Sequence, residues 1–104
     1  MTRIYTEVDG RRCILAAQGH ATGSERACAA VSAIVYALAG YVANAELAGR
    51  KVERYTWEIG SGDVQLDFRG DAGVRAAFEM AAIGLAQIAR SYPEQVQAES
   101  WAEK

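Results

Sequence analysis

The sequence predicts an α+β domain of element order ββαββαβ, an antiparallel sheet with two helices packed on one face. Three observations carry this. Short alternating runs come in pairs joined by Gly-containing turns, two longer stretches repeat their apolar residues every three or four positions, and the single proline stands just after the second stretch. Hairpins favour antiparallel pairing, and a helix with one apolar stripe must lay it on something. A sheet with both helices on one face is the simplest arrangement.

Taken in order, Ile4-Tyr5-Thr6-Glu7-Val8 alternates apolar and polar as a half-buried strand does. Asp9-Gly10 is a strong hairpin signal, and Arg12 to Gly19 returns as the second strand, with Cys13, Leu15, Ala17 and Gly19 on one side. His20 stands just past its end. Thr22 with Glu25 fits a capping box and Ser24 is an alternative N-cap, so a helix starts about here. Its stripe reads Cys28, Val31, Val35, Leu38, Val42. Gly40 and Asn44 weaken its last turns and Gly49 follows its end, which gives about five turns. Val52 to Ile59 and Val64 to Arg69 form a second hairpin around Gly60-Ser61-Gly62-Asp63. Asp71 then caps a second helix with the stripe Val74, Phe78, Ala81, Leu85, Ile88, Tyr92, which Pro93 ends. Gln95 to Trp101 is read as a last strand.

The 104 residues suit one domain, 1–104, with no internal repeat or linker. A net charge of −2 and no Lys/Arg run longer than the pair Arg11-Arg12 argue against direct nucleic-acid binding. No leader pattern opens the chain, and the longest apolar stretch, Ala27 to Val42, is broken by Ser32, Tyr36, Gly40 and Tyr41. We therefore expect no membrane span and a cytoplasmic protein. Cys13 and Cys28 are expected as free thiols in that reducing compartment. Two Cys and one His do not make a four-ligand zinc site, so neither a structural metal nor a cofactor is expected.

Thiol chemistry needs an accessible cysteine and a base to take its proton. Cys28 falls in the first turns of the first helix, near the positive end of the helix dipole, where free amides could also receive an oxyanion. His20, the one histidine, lies eight residues earlier at a strand end. Glu25, in the intervening loop, could orient the imidazole or cap the helix. Against this stands an ordinary reading: Cys28 lies on the apolar stripe, and a cysteine there is most often a small core residue. Spacing alone favours the core reading. Cys13, mid-strand, is the weaker thiol candidate, and Ser32 is either a polar contact of the site or a residue bonded back to its own helix. Tyr55 and Trp57 share a predicted strand face on which a peptide could lie. Arg69-Gly70-Asp71 is read as a strand-to-helix junction.

The segments Gly19-His20-Ala21 and Cys28-Ala29-Ala30-Val31-Ser32 resemble the ribosomal-processing cysteine protease (Prp) family, and Gly84 to Pro93 resembles that family's second-helix ending. The likeness spans almost the whole chain. It implies a cysteine endopeptidase that removes a short N-terminal leader from a large-subunit ribosomal protein; related phage copies act on capsid or scaffold proteins with a similar leader. Carried over by position, Cys28 would be the nucleophile and His20 its base, with Gly19, Glu25 and Ser32 supporting the site. The resemblance also implies a homodimer and a mobile loop over the site. The loop between His20 and Cys28 has seven residues, shorter than the family pattern, and Glu25 stands where the family usually carries an Asp. The alternatives of another class are a non-catalytic α+β dimer that binds peptide with a vestigial Cys–His pair, and a thiol-redox protein, which the lack of a Cys-x-x-Cys disfavours.

Overall fold

The computed structural model describes residues 1–102, so the last two positions of the domain expected over 1–104 lie outside the described residues. Strands β1 (Thr2–Asp9) and β2 (Arg12–Gln18) form the first hairpin, followed by α1 (Glu25–Leu47). A second hairpin, β3 (Val52–Gly60) and β4 (Asp63–Gly70), leads into α2 (Ala72–Ser91) and β5 (Val96–Ala102). The α+β class and the element order are those the sequence predicts.

The five strands lie in the order β3-β4-β2-β1-β5. The four hairpin strands pair antiparallel, whereas β5 runs parallel to β1, so the sheet is mixed. The reason is connectivity. β5 is reached from β4 through α2, and the helix carries the chain back to the end of the sheet where β4 began, so β5 runs in the direction of β4 and of β1. In the first hairpin Asp9 pairs with Arg12, which puts Gly10 and Arg11 at the turn's centre rather than Asp9 and Gly10; Gly10 carries the positive φ of 60°.

Alternate residues of the strands face the helices. Ile4, Val8, Cys13, Leu15, Ala17, Leu66, Phe68 and Val96 are buried against Val31, Val35, Leu38 and Val42 of α1 and Val74, Phe78 and Leu85 of α2, in one cluster. Trp57, Phe68 and Phe78 meet edge to face at centroid distances of 5.6 and 5.9 Å. Such pairs add to area burial because ring edges are positive and faces negative.

The strand expected to present Tyr55 and Trp57 together does not. A bulge after Arg54 leaves Tyr55 without a partner on β4, since Arg54 pairs with Phe68 and Thr56 with Asp67. The extra residue reverses the alternation. Trp57 turns toward the core and lies beneath the Arg54 guanidinium at 4.0 Å, while Tyr55 is exposed beneath Arg12 at 4.9 Å.

Both helices are capped by side chains. Ser24, not Thr22, caps α1: its Oγ accepts from the Ala27 amide at 3.1 Å, while the Thr22 hydroxyl donates to the His20 carbonyl at 3.2 Å. At 23 residues α1 is also longer than expected, because buried Val42 and Ala45 hold down the turns that Gly40 and Asn44 would loosen. Asp71 caps α2 through the Val74 amide at 2.9 Å and is gripped by Arg50 through two hydrogen bonds of 2.8 Å. By length and average hydropathy both helices are apolar enough to pass for membrane spans, although neither holds an unbroken apolar run of that length. Each lays its buried stripe on the sheet.

The stripe of α1 differs at one position. Its buried residues are Ala27, Val31, Val35, Leu38, Val42 and Ala45; Cys28 is exposed.

Candidate active site

Three pieces of chain meet at one end of the sheet: the end of β2, the first turns of α1 and the β3–β4 turn. The register explains the meeting. Gln18, the last residue of β2, pairs with Asp63, the first of β4, so the turn at Ser61 and Gly62 stands beside the strand end that carries His20. The Gly19 amide donates to the Gly62 carbonyl at 2.9 Å and continues the ladder one residue past the strand.

His20 is held through its backbone neighbours. Gly19 adopts a φ of +89°, and a side chain there would run into the Met1 carbonyl, so this crossing is open to glycine alone. On the other side Ala21 buries its methyl in the core, and the Thr22 amide donates to the His20 carbonyl at 2.8 Å. A tight turn thus delivers the chain to Ser24 and starts α1 within a few residues.

Cys28 lies one turn into α1, and its amide makes an early helical bond, donating to the Ser24 carbonyl at 3.2 Å. Ala27, one residue earlier, fills the core and leaves the thiol to face outward. The ordinary reading of Cys28 as a core residue is therefore overturned: successive helical residues are about 100° apart, and the small apolar residue that packs inward is Ala27. Cys13 has the opposite fate. It is fully buried in β2, and burial pushes its thiol up to about 12, which keeps it protonated and inert.

A cleft of about 330 Å³ opens where these pieces meet. His20 and Cys28 both line it. Gly19 and Ser32, two of the three expected supporting residues, line it as well. Glu25 does not; its side chain is exposed at the start of α1. Tyr36 continues the row Cys28, Ser32, Tyr36 in steps of four along α1, with Val31 and Val35 beside it. Ile59 to Val64 form the remaining wall. The sequence reading missed Tyr36 and this hairpin wall. The step-of-four row was visible in the sequence; the hairpin was not, because its place depends on strand order.

Such a cleft has the size and character of a site for a peptide side chain: apolar walls from valine, isoleucine and tyrosine, with a few polar groups converging. The nucleophile and the base of a thiol hydrolase must share one solvent-reached space, and here both candidates do. A thiol hydrolase is the class that this fold and this site describe.

Comparison with known proteins narrows the class. Residues 1–97 match the family model described as cysteine protease Prp, and the chain belongs to that family. It is a cysteine protease. Two solved structures are similar in fold throughout. The first is the ribosomal processing protease Prp from S. aureus with a covalently linked product peptide (TM-score 0.72, 15% identity, 96% of this chain and 99% of that one). The second is SMU.848 from Streptococcus mutans (TM-score 0.70, 22% identity, 99% and 96%). A further S. aureus Prp structure, in complex with a substrate peptide, aligns at a TM-score of 0.69, 15% identity and the same 96% and 99% coverage. No curated protein matches the chain.

Proposed function

We propose that this protein is a ribosomal-processing endopeptidase that removes a short N-terminal leader from a large-subunit ribosomal protein, or from a phage capsid or scaffold protein with a similar leader. The observation that carries the reading is the exposed thiol of Cys28 in the same cleft as His20, in a chain of the Prp family. The S. aureus Prp structures with peptide, alike in fold, support a peptide as the occupant of that cleft.

The chemistry is acyl transfer. His20 takes the Cys28 proton, Sγ attacks the scissile carbonyl, and the carbonyl π electrons move to the oxygen. First-turn amides of α1 receive that oxyanion. The Cys28 and Ala27 amides are committed to the Ser24 carbonyl and hydroxyl, which leaves those of Glu25 and Arg26 for the task. Collapse breaks the peptide C–N bond as His20 protonates the leaving amine. Water, deprotonated by His20, then adds to the thioester; expulsion of the Cys28 thiolate releases the acid. Val31, Val35, Ile59 and Val64 would receive an apolar side chain next to the scissile bond.

The same reading places the protein in the cytoplasm, where two unpaired thiols are ordinary, and makes it a homodimer. An exposed apolar strip on the helices, with Met80 72% and Ile83 61% exposed, supports a covered surface there. The test of function is a peptide carrying the leader, with a scrambled leader as control. Cleavage of the first alone is expected. Cleavage of both, or of neither, removes the leader specificity from the proposal, and binding without cleavage would favour a non-catalytic peptide-binding module.

A further inference from the structure

The β3–β4 turn does more than close a hairpin. At Gly62 a β-carbon would stand 2.6 Å from His20 Nε2, 3.0 Å from Cε1 and 3.3 Å from Cδ2. The imidazole therefore lies against the bare face of this glycine, with its Nε2 edge nearest. Gly62 has a φ of +72°, which by itself favours glycine, but Gly10 at the other hairpin turn has a φ of +60° with nothing within 4 Å of its β position. Gly23, at +89° in the loop before α1, is likewise open. The backbone requirement is shared among these glycines, whereas contact with the imidazole belongs to Gly62.

Two further facts make the contact a rigid one. The Gly62 carbonyl accepts from the Gly19 amide at 2.9 Å, so turn and histidine are tied through the residue just before His20. The turn also sits on the ladder that joins Gln18 to Asp63 and Gly60 to Asp63. No hydrogen bond from Glu25 holds the ring among the described residues, and the exposed imidazole would otherwise sample several staggered rotamers.

We propose that Gly62 is the positioning residue of the catalytic imidazole: its missing side chain provides the seat that holds His20 at the angle needed for proton exchange with Cys28 and the leaving amine. The β3–β4 turn thereby acts both as a wall for the peptide and as the rest for the base. This inference rests on the reading of Cys28 and His20 as nucleophile and base.

The experiment pairs Gly62→Asn with Gly10→Asn. Asparagine tolerates positive φ well, so both turns keep their shape, but only at position 62 does the new β-carbon meet the imidazole. Two readouts are taken: the His20 ring proton and nitrogen resonances, and kcat, KM and the pH profile for cleavage of the leader peptide. Gly62→Asn is expected to move the His20 resonances, lower kcat by tens of fold and up to about 10² with KM nearly unchanged, and displace the acid limb of the pH profile. Gly10→Asn should leave all of these as in wild type. Ring resonances and a pH profile of Gly62→Asn that match those of Gly10→Asn would overturn the proposal. If wild type cleaves no leader peptide, the leader-substrate reading fails on its own, while the His20 resonances still decide whether Gly62 seats the ring.

Discussion

Ala27 and Cys28 are adjacent on the first turn of α1 and face different surroundings: the Ala27 methyl is wholly inside the core, and the Cys28 thiol opens onto the cleft that His20 also lines. A quarter-turn of helix separates a packing residue from an exposed thiol. Because Ala27 fills the inward position, substitution of Cys28 disturbs no buried contact, and the chemistry of the thiol can be examined apart from the stability of the fold.

The two thiols should behave as opposites. In the native protein iodoacetamide is expected to add a single adduct per chain, at Cys28, because Cys13 is fully buried with its thiol pushed up to about 12 by that burial. Unfolding in denaturant should expose the second. Intact-mass measurement reads this directly, and rapid double labelling of the folded protein would contradict it.

His20→Ala should fold as wild type does, since the side chain is exposed and its backbone is held by the Gly19 and Thr22 amide bonds. Loss of the base should lower kcat by about 10² to 10⁴. A thermal melt beside the rate measurement separates the two effects; a variant that keeps full activity would remove His20 from the mechanism.

Phe78 tests the packing. It is 1% exposed at the helix end of the aromatic row, on α2 against Phe68 of the sheet, and truncation leaves a cavity that rigid neighbours only partly fill. Phe78→Ala should cost about 3–5 kcal/mol in denaturant unfolding. That is a large share of the total for a domain of this size.

Asp71 gives the fold a pH dependence of defined sign. Its carboxylate lies well below the usual range, first because Arg50 hydrogen-bonds it and then because the Val74 amide does. A folded-state pKa below the unfolded value means stabilisation that is complete above the unfolded value and is lost as pH falls toward the folded one. Asp71→Asn keeps an N-cap acceptor but removes the charge that Arg50 grips. It should melt a few degrees below wild type at pH 7, and the gap should close progressively below about pH 4. A gap that stays constant down to about pH 2 would show that the charge is not its source.

How far the sequence discloses this molecule varies from element to element. α2 was readable throughout, because Asp71, a clean stripe from Val74 to Leu85 and Pro93 mark its start, face and end by local rules. The mixed sheet was not, since β5 lies beside β1 through a long-range crossover that no local pattern encodes. The bulge at Tyr55 leaves no mark in an alternating run, so one extra residue silently put Tyr55 and Trp57 on different faces. At the site, His20 and Cys28 were singled out from residue type and resemblance, and the structure places both on one cleft. The orientation of Cys28 was not readable in this way, because Ala27 and Cys28 are both small enough to pack. The hairpin wall and the seat at Gly62 depend on β4 lying next to β2, which only the folded chain supplies.

The measurement that bears most directly on the account is cleavage of the leader peptide by wild type and by Cys28→Ala, read by mass spectrometry, with melting curves for both. We expect wild type to yield the two product peptides and Cys28→Ala to yield none while melting within a degree or two of wild type. Equal cleavage by the alanine variant would contradict the assignment of Cys28 as nucleophile and, with it, the mechanism built on the cleft.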